Sequence, residues 1–170
     1  MYQGLDRIVG GIAAALALAG GAVLLALVAL TCVSILGRAL LPLGLGFGSV
    51  RGIYDMTEMG VAAAIFAFLP WTHYTEAHAK VDLLRPLMPG AMDRGLALVF
   101  DIAMLVVAVV GTWRLWLGMT DKMRYGETTL IAQIPVWWGY GAGLVGGLGF
   151  ALVAAFCVLR SLRRLTGAAT

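Results

Sequence analysis

Charge is what this sequence has least of. Asp, Glu, Lys and Arg make up 12% of its 170 residues, about half the share usual in a soluble domain. With 61% hydrophobic residues and a mean hydropathy of +0.93, too few polar groups remain to cover a water-exposed surface. An ordinary soluble domain is excluded, and most of the solvent must be lipid. The net charge is only +3, and the basic residues are scattered through short segments rather than gathered on a patch or stripe. That distribution excludes nucleic acid as a partner and leaves membrane lipid as the natural one. Cysteine is scarce too: Cys32 and Cys157 stand alone in apolar runs with no CxxC. Clustered-thiolate metal or redox chemistry is excluded on that ground, and both are expected to be small packing residues. There is no Ser/His/Asp or Cys/His arrangement for hydrolysis and no internal repeat, so neither an enzyme nor a cofactor is expected. The glycine-rich stretch 44–52 lacks the flanking strand and Lys–Ser/Thr of a phosphate loop and reads as an outer connection.

What the chain has is long apolar runs. Residues 8–36 carry no charge between Arg7 and Arg38. As a helix they would extend roughly 40 Å, ample for a bilayer core of about 30 Å. A signal peptide has a far shorter apolar region, so a retained membrane helix is expected. A second helix is expected over 53–71, ending around Pro70, with Asp55 and Glu58 near its start. A third is expected over 95–117 with Asp101 and Arg114 inside it, and a fourth over 134–159, stopped by Arg160, Arg163 and Arg164. The expected fold is an all-α integral membrane protein of one four-helix domain.

Orientation follows from the Lys and Arg count in the connections. With the amino terminus inside, Arg7, Lys80, Arg85, Arg94, Arg160, Arg163 and Arg164 are cytoplasmic. Arg38, Arg51, Lys122, Arg124 and the helix-end Arg114 are then outside. The bias, and the cluster after the last helix, places both termini in the cytoplasm. Trp71, Trp113, Trp116, Trp137 and Trp138 all fall near the expected helix ends, where indole rings settle.

Ionisable groups inside a membrane are functional suspects by default. Glu58 and Asp101 fit either a proton or ion relay, or a paired role at a helix–helix contact; Arg114 can snorkel outward. His73 and His78 are five residues apart, a spacing that does not stack side chains on a helix, and a water-facing position near the end of the second helix is expected rather than haem or metal ligation. Gly139, Gly143 and Gly147 form a small-residue stripe on the last helix, matched by Gly10, Ala13, Ala17, Gly20 and Gly21 on the first. Such stripes allow close helix packing in lipid, within one bundle or against another subunit. The broken helices and paired repeats of a self-sufficient transporter do not appear.

Two blocks are more specific. FLPWTHYTEAHAKVDLL, residues 68–84, is followed some forty residues on by GETTLIAQIPVWWGY, residues 126–140. In order and at this distance they resemble the small membrane subunit of tripartite ATP-independent periplasmic (TRAP) transporters, the DctQ family. Glu58 matches that family's acid at the start of the second helix, and His78, Val81 and Asp82 match a polar turn after it. Gly126, Glu127, Thr128, Leu130, Ile134, Pro135, Trp137 and Trp138 match the connection into the last helix. The resemblance implies a small permease subunit in the bacterial inner membrane. It would pack against and steady a large membrane subunit during sodium-coupled uptake of an organic acid delivered by a periplasmic binding protein. The candidate structural or interface residues are Glu58, His78, Asp82, Asp101, Gly126, Glu127, Thr128, Pro135, Trp137, Trp138, Gly139, Gly143 and Gly147. Outside the resemblance, two readings compete: a membrane anchor for redox or haem chemistry, and a small free-standing exporter with Glu58 or Asp101 as proton carrier.

Overall fold

The computed structural model describes residues 2–43, 48, 50–78 and 90–166. Four helices follow one another: α1 (Tyr2–Leu40), α2 (Ile53–Tyr74), α3 (Gly90–Tyr125) and α4 (Trp137–Leu165), with a short 3-10 turn, Leu41–Leu43, after α1. All four are long and apolar enough to cross a membrane. The all-α, four-span expectation holds.

Helices outrun the apolar runs that announce them. α1 begins well before residue 8, and α3 spans 36 residues, past 117 to Tyr125. Hydrophobicity ends where lipid ends, but the i→i−4 hydrogen-bond ladder does not. Asp6 and Arg7, Asp93 and Arg94, and Asp121, Lys122 and Arg124 therefore sit on helical overhangs. α4 likewise runs on past the expected stop, through Arg160, Arg163 and Arg164 to Leu165, but it begins late. Its helix starts at Trp137, because Pro135 is engaged in an isolated antiparallel bridge with Thr128.

α2 also corrects its expectation. It does not end around Pro70 but runs through it to Tyr74. Proline lacks the N–H that would bond the carbonyl of Phe66. α4 lays Gly146 against that same carbonyl: a Cβ at 146 would lie 2.5 Å from the Phe66 carbonyl carbon and 2.6 Å from its oxygen. Pro70 is fully buried. The two irregularities, a missing donor and a missing side chain, meet at one close backbone contact.

α4 is the centre of the molecule. Half of its most apolar window is buried, against 11% for α1 and 6% for α3. It packs along α2 and α3, while α1 packs mainly along α2. One core cluster joins Val9 and Ala13 of α1 to Val153, Phe156 and Cys157 of α4. A second joins Ala108 of α3 to Phe150 and Ala154. The helices thus form a layer with α2 and α4 inside and α1 and α3 at opposite edges. The α4 glycine stripe is spent within this layer: Gly139 lies on Met59, Gly143 on Phe66 and Leu115, and Gly147 on Thr112. Of the two packing partners open from sequence, the bundle takes the stripe.

Both termini lie at one end, where Tyr74 donates to Asp6 (3.1 Å) and Arg164 pairs with Glu76 (3.1 Å). The α3–α4 connection lies at the other.

Candidate functional site

At the end opposite the termini, the α3–α4 connection is built from backbone rules upward. Gly126 is the left-handed residue (φ 60°) that closes α3. Its N–H bonds the Met123 carbonyl (3.3 Å) and the Glu127 N–H bonds that of Lys122 (3.3 Å), the paired 5→2 and 6→1 bonds of a Schellman ending. The Glu127 carboxylate also receives the Lys122 ammonium at 2.6 Å. A hairpin follows. Thr129 N–H bonds the Ile134 carbonyl (2.9 Å) and Val136 N–H that of Glu127 (3.0 Å). Thr128 and Pro135 face each other between those bonds, in the non-hydrogen-bonded position. A proline there forfeits no ladder bond. This corrects the expected place of Pro135 in the first turn of the last helix: it precedes the helix, and its carbonyl accepts from Trp138 N–H (3.1 Å).

The hairpin is fastened to α2. Asp55 Oδ2 accepts from the N–H groups of Ile131 (3.0 Å) and Ala132 (2.8 Å). Gly52, left-handed at φ 73°, lies directly under Ala132, where no side chain fits. Trp137 and Trp138 meet edge to face at 6.0 Å as α4 begins. The sequence showed Asp55 only as an acid at the start of α2; its partners lie 76 and 77 residues away, beyond the reach of local pattern.

At the termini's end, a second polar cluster ties three helices. Ser161 of α4 donates a short hydrogen bond to Asp101 Oδ2 of α3. The other Asp101 oxygen lies 3.7 Å from His73 Nε2 of α2. His73 is 5% exposed and packs edge-on to Phe150 (5.8 Å), which corrects its expected water-facing position. The His78 ring stands 5.5 Å away. Just outside, Glu76 receives Arg160 (3.0 Å) and Arg164 (3.1 Å). Glu76 itself holds φ 55° in another Schellman ending: its N–H bonds His73 and the Ala77 N–H bonds Thr72. A left-handed glutamate is strained where glycine would not be, and its carboxylate is the group that grips α4.

Glu58 is exposed. Asp82 and Val81 lie outside the described residues. Arg114 is exposed, its guanidinium 5.8 Å from the Trp113 ring. Trp113 and Trp116 flank an open apolar groove of about 460 Å³ between α3 and α4, with Thr112, Leu144 and Leu148. Among the described residues no group of three or more His, Cys, Asp or Glu side chains is arranged to hold a metal ion. Asp55, Asp101 and Glu76 are the carboxylates that link one element to another.

No curated protein and no solved structure matches the chain. The family model for tripartite ATP-independent periplasmic transporters, DctQ component, matches residues 27–167. That interval takes in the end of α1, both polar clusters, the Pro70–Gly146 contact and the fastened hairpin. With most of its length so matched, the chain belongs to the DctQ family, the small permease component of TRAP transporters.

Proposed function

We propose that this subunit steadies the large membrane subunit of its transporter while that partner moves an organic acid, coupled to sodium, after delivery by a periplasmic binding protein. The observation that carries the reading is the layer itself. α4 is spent inside it, yet α1 and α3 turn rows of large apolar residues outward, among them Leu18, Leu25 and Val28 on α1 and Val99, Val106 and Val107 on α3. A plate tied across both ends by polar contacts is suited to bracing a neighbour. Glu58 supports a protein neighbour against the exposed face of α2: it is exposed beside Met59, level with the start of α4, where a carboxylate facing lipid is unfavourable.

The inner membrane is the proposed location, with both termini cytoplasmic and the hairpin periplasmic, following the distribution of Lys and Arg. The redox and exporter readings are not favoured, because the family match is to a transporter component and Asp101 is engaged by Ser161.

Co-expression with the large subunit tests the proposal. The two are expected to co-purify in mild detergent, and Glu58→Ala to weaken that association without unfolding this chain. Separate elution of the wild-type pair would overturn the bracing role.

A further inference from the structure

The hairpin tip carries an anomaly for a connection in water. Leu130 is 92% exposed and its neighbour Ile131 57%, the largest exposure of adjacent aliphatic side chains on this connection. Yet much of the backbone beneath them finds its partners within the protein. Asp55 takes the Ile131 and Ala132 N–H groups. Gln133 Nε2 donates to the Thr129 and Leu130 carbonyls, both at 3.2 Å, and Thr129 Oγ1 accepts the Ile134 N–H at 3.1 Å. Gln133 holds a left-handed φ of 55° in doing so. Water would satisfy those groups without help. Each bond made internally lowers the cost of bringing that backbone toward a medium that cannot hydrogen-bond, and the interfacial zone still holds water for the remaining groups.

The depth of the tip agrees. Gly139, at the start of α4, lies against Met59 of α2, and the tip is fastened at Asp55, about one turn or 6 Å further out along α2. With the start of α4 taken as the edge of the hydrocarbon core, that offset fits an interfacial zone about 5–8 Å thick on each side, where tryptophans such as Trp137 and Trp138 settle. No residue from Thr128 to Tyr140 carries a formal charge. The carboxylate at its base, Glu127, is taken by Lys122, so the tip itself presents no charge of the kind that steers protein association.

We propose that the hairpin is a lipid-binding peg: Leu130 and Ile131 insert among the headgroups and upper acyl chains of the leaflet on their side, and fix the outer end of α4 to the bilayer. The occupant is phospholipid, and the inference does not depend on the bracing role.

The test uses the full chain alone in liposomes, with Cys32→Ala to remove the exposed thiol and a polarity-sensitive fluorophore on Leu130→Cys. The same label on Glu127→Cys serves as comparison. The Leu130 label is expected to emit further to the blue, and to lose most of its intensity when the lipids are brominated high on the acyl chain. Emission matching a water-exposed label, unaffected by brominated lipid, would overturn the peg. A blue shift without quenching would also overturn it, because the shield would then be protein. Co-purification with the large subunit is read separately, so either proposal can fail while the other stands.

Discussion

Single residues in this fold are decided by what a methyl group would meet. Gly146 is the most constrained position on α4, because its neighbour is the Phe66 backbone and not a side chain that could turn away. Gly146→Val is expected to destabilise the subunit by about 1–3 kcal/mol, the usual penalty of overpacking, read as a lowered melting temperature in detergent. Gly143→Ala is the contrast: its new Cβ would stand 3.5 Å from the Phe66 ring, in ordinary contact, and should leave melting nearly unchanged. Gly126 is constrained by torsion and not by space. Nothing lies within 4 Å of its missing Cβ, but φ is 60°, so Gly126→Ala should cost about 1–2 kcal/mol from backbone strain alone. Asp101→Ala removes the acceptor of Ser161 and the carboxylate that stands 3.7 Å from His73 Nε2. A loss of about 1–3 kcal/mol is expected for the buried groups left unsatisfied, with Asp101→Asn milder because a side-chain acceptor remains.

Between elements, the informative joint is Asp55 with the hairpin. Asp55→Ala deletes the acceptor of two backbone N–H groups, and hydrogen exchange at Ile131 and Ala132 should accelerate while the α4 core keeps its protection. Equal acceleration throughout α4 would show that the joint supports the whole layer. This joint also marks where sequence reading stops. Hydropathy locates four spans because apolar length is a local property, and the GETTL–IP block stands out because glycine, proline and paired tryptophans have local meanings. The partner of Asp55, the burial of His73 and the grip of Glu76 depend on which helix lies beside which, and a single sequence carries no signal of that. Even Pro70 misleads when read locally: a proline near the end of an apolar run resembles a stop, and only the approach of Gly146 on α4 explains why the helix continues.

At the scale of the whole molecule, the layer has two like ends: each closes on a carboxylate, Asp55 at one and Asp101 at the other. Orientation in the membrane is the property that this near-symmetry leaves to the flanking charges. A cysteine at Thr128 should react with an impermeant thiol reagent from the periplasm, in a Cys32→Ala background. One at Thr166 should react only after the membrane is opened. The reverse pattern would invert the molecule.

The two-ended fastening of α2 has a consequence for the lipid itself. From Asp55 to His73 is roughly 27 Å of helix, close to the hydrocarbon thickness of a thin biological membrane. α1 and α3 have length to spare and can meet a thicker bilayer by tilting. α2 cannot change its angle to α3 and α4 without pulling on its ties. The subunit therefore behaves as a thickness gauge, and its melting temperature should be highest in lipids whose acyl chains match the α2 span, falling on either side as mismatch loads those ties.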